Sequence, residues 1–221
     1  MFLRSLISPA ALAVAVISLS TTTAHAAEST GVKTHHHNAQ KAQPKATQAA
    51  STKAYERAMR TMHKSMDTPR SGNPDIDFVR QMIPHHQGAI EMAKIQLKYG
   101  HDARLKKLTE WITTAQGQEI ATMRGWQSRY DHGEVSPNAR DYYGTAMKKM
   151  HHAMMIDYTG DADLDFVRGM IAHHQGAIDM ASIWMHEGSN PDLKEFVTGI
   201  VTAQSQEIAW MQRWLAQHES N

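Results

Sequence analysis

Cysteine is absent from this sequence, and its absence excludes zinc sites built from thiolates. An excess of either charge is also missing, since 23 Lys and Arg residues balance 22 Asp and Glu residues. Without a net charge or a polybasic block, nothing draws the protein to nucleic acid or to an anionic lipid surface. The sequence also lacks a nucleophile paired with a base and a phosphate-binding glycine loop. Any enzymatic function would have to depend on a metal ion, and we predict that the protein is not an enzyme.

Methionine and histidine are what the sequence has in abundance, with 15 residues of each type. A thioether supplies a soft sulfur ligand in a compartment where a thiol would be oxidised. The alternative interpretation is that the flexible methionine side chains simply fill the core. The choice between the two depends on where these residues lie along the chain.

The first 26 residues have the pattern of a secretory signal peptide. Arg4 supplies the positive charge, residues 6–19 are mostly apolar, and residues 24–26 (Ala-His-Ala) form a cleavage site between small residues. No later segment reaches the ~18 apolar residues of a membrane-spanning helix. We therefore expect a periplasmic or secreted protein, cleaved near Ala26, with no stable membrane insertion.

Residues 27–50 are rich in Ala, Thr, Gln, Lys and Ser and contain almost no large apolar side chains. Such a segment cannot bury enough apolar surface to offset the entropy lost on ordering, so we predict a flexible tail. The tail contains three consecutive histidines at 35–37. These imidazoles either capture a metal ion weakly or are ordinary solvated residues.

One stretch occurs twice, and the rest of the chain is organised around it. Residues 77–90 (DFVRQMIPHHQGAI) and 165–178 (DFVRGMIAHHQGAI) differ at only two positions and are separated by an offset of 88 residues. The same offset relates Met, His and Glu residues on both sides of the stretch without a gap. We therefore predict two tandem repeats of about 88 residues, at 51–132 and 133–221.

Helical periodicity without strand-like alternation predicts an all-α protein with three helices in each repeat. In the first repeat, helices are expected at about 51–67, from Asp75 or Asp77 to Gly100, and from Asp102 to about Tyr130. In the second repeat, they are expected from Ser136-Pro137, from Asp163 or Asp165 to Gly188, and from Asn190-Pro191 to about Gln217. Gly100 is expected to end its helix in the left-handed conformation, and Gly188 is expected to close the matching helix of the second repeat. The helices form either one pseudo-twofold bundle of four long helices, with the short ones outside, or two separate three-helix domains.

A Met-x-x-Met-His-x-x-Met motif lies on the first helix of each repeat. Positions i, i+3, i+4 and i+7 share one side of a helix, so each motif gathers three thioethers and one imidazole. Thioethers are soft, neutral ligands that favour Cu(I) and Ag(I). The alternative is a methionine-rich core stripe. The candidate metal ligands of this set are Met59, Met62, His63 and Met66, with Met147, Met150, His151 and Met154.

A second set of methionines and histidines lies on the following helix of each repeat. A methionine and a histidine three or four residues apart can bind one ion from a single helix, and thioether together with imidazole favours copper. The alternative is that these are core histidines with satisfied hydrogen bonds. The close packing of this helix is expected to depend on Gly88 and Gly176. The candidate ligands are Met82, His85, His86 and Met92, with Met170, His173, His174 and Met180.

The third helix of each repeat adds a glutamate and a methionine, Glu119 with Met123 and Glu207 with Met211. A carboxylate on an apolar stripe needs a partner, because burying a polar group alone costs about 1–3 kcal/mol and a charge costs more. The glutamate is therefore a third metal ligand, a carboxylate that orients a ligating imidazole, or one side of a Glu–His hydrogen bond between two helices.

The repeated pattern D-F-V-R-x-M-I-x-H-H-Q-G-A-I-x-M-A resembles the domain of unknown function 305 family, and the resemblance extends over about 54–216. This family is grouped with ferritin-like helical bundles, and its better-understood members resemble exported copper-binding proteins of the CopM type that are linked to copper tolerance. The resemblance implies a ferritin-like bundle and copper binding. The positions that it implies as ligands are Met82, His85, His86, Met92, Glu119 and Met123, with Met170, His173, His174, Met180, Glu207 and Met211.

The function that the sequence favours is an exported copper-binding protein, a buffer or carrier in copper homeostasis or tolerance. Cu(I) is the favoured cargo, Ag(I) and Cu(II) are alternatives, and a copper-transport or efflux protein is a candidate partner. One alternative function is a ferritin-like metal-dependent oxidase, which would need Glu-x-x-His motifs that neither Glu119 nor Glu207 provides. Another is a metal-free helical scaffold.

Overall fold

The computed structural model describes residues 45–219, with no side-chain detail for 46–49. The predicted signal peptide and most of the predicted tail, with its three histidines, lie outside the described residues. Between residues 45 and 219 the chain forms six helices and no strand, which confirms the all-α class. The helices are α1 (Lys45–Met66), α2 (Pro74–Tyr99), α3 (Ala103–Tyr130), α4 (Gly144–Ala153), α5 (Ala162–Glu187) and α6 (Pro191–His218).

Two of the predicted helix starts are confirmed. Asp102 caps α3 by accepting hydrogen bonds from the N–H groups of Arg104 and Leu105. Asn190 caps α6 with a proline in its first turn. Each cap satisfies N–H groups that the first turn of a helix leaves without an intrahelical partner.

The predicted capping residues of α2 and α5 are wrong, although each helix begins within one residue of the first predicted position. Asn73 caps α2 and Asp161 caps α5. The carboxylates at 75, 77, 163 and 165 therefore lie inside the first turn, where they are buried. Their side chains are thus left for bonds to other parts of the chain.

Gly100 and Gly188 end their helices as predicted, but the left-handed conformation expected for Gly100 is wrong. Both residues have extended backbone, with φ of −73° and −75°. An extended residue leads the chain directly from one long helix into the cap of the next.

The predicted boundaries of α1 and α4 need correction. α1 begins at Lys45, so the last six residues of the predicted tail are helical, in keeping with the high helix propensity of Ala, Gln and Lys. α1 is therefore not a short helix. α4 begins at Gly144 and not at Ser136-Pro137. Ser136 donates its N–H to the carbonyl of Arg70 and accepts from the N–H of Ala139, so this segment forms a turn held against the loop before α2.

The arrangement of the helices follows from which face of α2 each neighbour contacts. Residues 86 and 88 are about 200° apart around a helix. His86 bonds to Glu119 of α3, whereas Gly88 lies against Met62 of α1, so closely that a methyl group there would collide with the thioether. α1 and α3 therefore lie on opposite sides of α2, and the expected role of Gly88 in close packing is confirmed.

The same relation holds around α5 at the 88-residue offset. His174 bonds to Glu207 of α6, and Gly176 lies against Met150 of α4. Since α2 also packs on α5, these two helices form a central layer between the α1 and α4 side and the α3 and α6 side. The described residues form one unit and not two separate domains. That the two halves are a tandem duplication stays a prediction.

Two buried carboxylates tie the ends of α2 and α5 together. Asp75, at the start of α2, accepts from the indole N–H of Trp184 at 2.7 Å and from the backbone N–H groups of Ser189 and Asn190 at the end of α5. Each half thus supplies an acceptor to the loop that closes the other half's central helix.

Asp163, at the start of α5, makes the corresponding set of bonds at the end of α2. It accepts from the amide of Gln96 and from the backbone N–H groups of His101 and Asp102, at 2.5–3.1 Å. Hydrogen bonds to a charged group contribute about 1.5–3 kcal/mol each.

We expect Asp163→Asn to lower the free energy of unfolding by about 2–3 kcal/mol, because an amide replaces a charged acceptor of three N–H groups. Urea unfolding followed by circular dichroism measures the change. The matched control is Asp157→Asn at an exposed position, which should stay within about 0.5 kcal/mol of wild type. Equal effects of the two substitutions would contradict the role of the buried carboxylate.

Candidate metal centre

Two histidines meet where α2 and α5 cross. The Nε2 atom of His85 lies 3.1 Å from the backbone carbonyl of His173, and the Nε2 atom of His173 lies 3.0 Å from the carbonyl of His85. The ring centroids are 3.7 Å apart. A carbonyl only accepts, so each Nε2 carries the hydrogen and each neutral ring keeps its lone pair on Nδ1.

Burial keeps these two rings neutral. Both side chains are fully buried, and loss of solvent lowers the pKa of each well below its ordinary value. The neighbouring histidines lower these pKa values further, because two cations would repel each other at this distance. Neutral imidazole is the form of histidine that binds metal ions.

The adjacent histidines bond directly to the two glutamates. His86 Nε2 lies 2.9 Å from Glu119 Oε2, and His174 Nε2 lies 2.6 Å from Glu207 Oε2. The structure thus contains the Glu–His hydrogen bond between helices that the sequence offered as one of three roles for these glutamates.

The Nδ1 atoms of all four core histidines remain without a partner. They are buried and make no hydrogen bond within the described part of the protein. These are the imidazole atoms of the core that could bind a metal ion. The histidines concerned are His85, His86, His173 and His174.

Three methionines from different helices line one small cavity of about 10 Å³. Met59 comes from α1, Met92 from α2, and Met154 follows the end of α4. We call this the thioether cavity. Its volume matches about one water-sized sphere, so it has room for a single ion. Its other lining residues are Tyr55, Ile156, Tyr158, Asp165 and Gly169.

Two of the polar side chains that line the thioether cavity make hydrogen bonds to groups outside it. The Tyr55 hydroxyl donates to the carbonyl of Ala162 at 3.1 Å. Asp165 accepts from the N–H and hydroxyl of Thr159 and from the N–H of Gly160, at 2.8–3.1 Å. The three methionines supply the soft sulfur donors among the lining side chains. Burial raises the pKa of Asp165, the first-turn carboxylate of α5.

A glycine makes space for the thioether cavity in one half of the chain. Gly169 lies on α5 next to the end of the Met92 side chain, and the matching position on α2 is Gln81, whose side chain is buried. The residues that match the three cavity methionines are Met147, Met180 and Met66. The first half thus has a buried side chain at the position that Gly169 leaves open in the second half.

The remaining predicted methionine ligands are distributed through the core. Met62 and Met150 are buried beneath the glycines of the central helices. Met147 is partly buried and packs against the core. The other six are fully or almost fully buried, and they are Met66, Met82, Met123, Met170, Met180 and Met211.

The histidines of the two Met-x-x-Met-His-x-x-Met motifs meet between α1 and α4. His63 and His151 contact each other, with their Nδ1 atoms 2.7 Å apart. His152 and Met155, which have no matching His or Met in the first half, are exposed. Among residues 45–219, no three His, Asp or Glu side chains are grouped so that they could hold a metal ion.

Several cavity residues were not among the predicted site residues, although one signal was present. Tyr158 and Asp165 carry no metal-ligand signature, and their role depends on how α4 and α5 pack. Gly169, however, is one of only two positions at which the repeated stretches differ. A difference inside an otherwise identical pair is where the two halves can diverge in function.

Residues 75–215 match the model of the family described as Domain of unknown function (DUF305). This match spans more than half of the sequence. The chain belongs to the DUF305 family. Among curated proteins, none matches this sequence closely enough to count as a relative.

Solved structures of CopM are similar to this DUF305 chain. The Cu(I)-bound form has 32% sequence identity and a TM-score of 0.51, and the Ag-bound form obtained by soaking has 31% identity and a TM-score of 0.52. Each comparison covers 65% of this chain and 96% of CopM. A DUF305 fragment from Deinococcus radiodurans, at 21% identity and a TM-score of 0.50, shares the fold. None of the helices between residues 45 and 219 is long and apolar enough to cross a membrane.

Stability should depend on pH through the buried pair His85 and His173. Their pKa values are lowered in the folded state, so below the unfolded pKa of about 6.5 the unfolded chain binds more protons. The free energy of unfolding is then expected to fall as pH drops below that value, by about 1.4 kcal/mol per pH unit for each histidine.

Urea unfolding between pH 7 and pH 5 measures this slope. Changing both His85 and His173 to Phe should reduce it, whereas changing the exposed His101 and His132 to Asn should leave it unaltered. A wild-type protein whose stability is constant across this range would show that the pair is not buried in its neutral form.

Proposed function

We propose that this DUF305 protein is an exported copper-binding protein that holds Cu(I), or the chemically similar Ag(I), in the thioether cavity. The observation that supports the proposal is the meeting of Met59, Met92 and Met154 around a space for one ion. Cu(I) and Ag(I) bind CopM in its solved structures, and CopM is about one-third identical to this chain.

The chemistry of the thioether cavity favours a soft monovalent ion. Three thioethers are neutral and polarisable, and they bind Cu(I) well but bind Zn(II), Fe(II) and Mg(II) poorly. A monovalent ion also has a smaller desolvation cost than a divalent one in a largely apolar site. The Asp165 carboxylate lines the same cavity and supplies a compensating negative charge without being a ligand.

The proposed role is to bind copper and not to catalyse a reaction. Copper enters as cargo, which is held as a buffer or passed as a carrier to a copper-transport or efflux protein. Export follows from the signal-peptide pattern of residues 1–26. In a compartment that oxidises thiols, thioether ligands keep a soft-metal site usable where cysteine would not.

Replacing Met59, Met92 and Met154 together by Leu should weaken Cu(I) binding by more than about 100-fold, because the change removes every sulfur ligand of the cavity. Leucine nearly conserves the volume of methionine, so the core should tolerate the change. Anaerobic Cu(I) titration of the purified protein against a chromogenic competitor measures the affinity.

The chain provides a matched control for this experiment. Met147, Met180 and Met66 occupy the equivalent positions in the other half, and their joint change to Leu removes the same number of sulfurs from the core. The Cu(I) affinity of this control variant should equal that of the wild-type protein. Equal loss in both triple variants, or no loss in the first, would contradict a site at the thioether cavity.

A single substitution tests whether Cu(I) binding needs the open space of the thioether cavity, because it leaves the three methionines unchanged. Gly169→Gln gives α5 the residue that α2 has at the matching position, so the longer side chain should fill the cavity next to Met92. Cu(I) affinity is expected to fall by at least about tenfold, with an unchanged helical circular dichroism spectrum. Undiminished binding in a folded Gly169→Gln protein would place the copper elsewhere.

A further inference from the structure

The ends of α1 and α4 carry a second group of potential metal ligands, outside the thioether cavity. His63 and His151 lie at the same position of the two halves, and their Nδ1 atoms are 2.7 Å apart. The rings meet edge to face, with centroids 4.2 Å apart and planes at 71°. His63 is half-buried and His151 is exposed, so solvent reaches the pair from one side.

The short distance requires that the two imidazoles share one hydrogen. One Nδ1–H donates and the other Nδ1 accepts, which both rings can do only while at least one of them is neutral. The accepting ring therefore has its lone pair on Nδ1, which is the form of imidazole that binds a metal ion.

The distance between the two nitrogens also matches a coordination geometry. Two nitrogens about 2.0 Å from one metal ion, and at right angles to each other, are about 2.8 Å apart. A metal ion can thus take the place of the shared hydrogen with little change in this distance, while the ring that donated that hydrogen carries its N–H on Nε2 instead. The exposed ring of His151 has room to turn its lone pair towards the ion, and water can complete the coordination on the open side.

We propose that His63 and His151 together form a surface Cu(II) site, to which each half of the chain contributes one imidazole. Imidazole nitrogen suits divalent ions, and Cu(II) is the tightest binder among the divalent first-row metals. Two adjacent nitrogens and water fit the square-planar preference of Cu(II). The site is separate from the thioether cavity and does not depend on Cu(I) binding there.

The neighbouring His152 does not belong to the proposed site. It lies one residue further along α4, about 100° around the helix from His151, and successive helical residues do not face each other. It is exposed like its neighbour. His152→Asn is therefore the matched control for His151→Asn.

Cu(II) titration followed by electron paramagnetic resonance tests the proposal on the whole exported chain. The tail histidines at 35–37 are first changed to Asn, so that they do not contribute a signal. We expect one Cu(II) with two coordinated imidazole nitrogens, and a Kd that rises by more than about tenfold in His63→Asn and in His151→Asn. Because the two residues form one site, the double variant should bind no more weakly than either single variant.

A second measurement separates a site from a general loss of folding. Cu(II) should raise the melting temperature of the parent protein and of His152→Asn, because the ion binds only the folded state, and should not raise that of His63→Asn. Binding that persists in both single variants, binding lost equally in His152→Asn, or a preference for Zn(II) over Cu(II) would overturn the proposal. The variant in which Met59, Met92 and Met154 are all changed to Leu should keep its Cu(II) signal. A failure of the proposed Cu(I) site can therefore be distinguished from a failure of the proposed Cu(II) site.

Discussion

The exchange of hydrogen bonds between His85 and His173 is the interaction on which the rest of the molecule depends. Each imidazole donates to the other helix's backbone carbonyl, so the bond is made only when α2 and α5 cross at one position and in one register. A buried polar group that lacks its partner costs about 1–3 kcal/mol, and a shift of either helix would break both bonds. All four outer helices pack on the pair that this contact aligns.

The central layer separates two kinds of donor. On the side of α1 and α4, three methionines line a small cavity, whereas the imidazoles of the same two helices meet at the surface. On the side of α3 and α6, the imidazole Nε2 atoms are bonded to carboxylates. Histidine and methionine are equally frequent in the sequence, but they occupy different places in the fold.

The sequence predicted the long helices well because their ends carry local signals. Asp102 and Asn190 are capping residues that follow a glycine by two positions, and this information does not depend on tertiary contacts. Ser136-Pro137 carries the same kind of signal, but its backbone bonds to Arg70, which is distant in sequence. The start of α4 was thus decided by a contact that local pattern does not encode.

The sequence predicted the types of residue that form the candidate site, but not which of these residues come together. Helical spacing placed three methionines of one motif on one face, but the cavity takes one methionine from α1, one from α2 and one from the end of α4. Which methionines meet depends on how the helices cross. The partner of Glu119 was predictable as one of two histidines, and the choice of His86 follows from the side of α2 on which α3 packs.

The reciprocal carboxylates Asp75 and Asp163 have a consequence for how the chain acquires its structure. During synthesis the first half emerges alone, and Asp75 then has no Trp184 and no Ser189 to bond to. The first half is completed only when the second has arrived, and the reverse is also true. Folding should accordingly be a single cooperative step that waits for the whole chain, because each half closes its central helix with hydrogen bonds to the other.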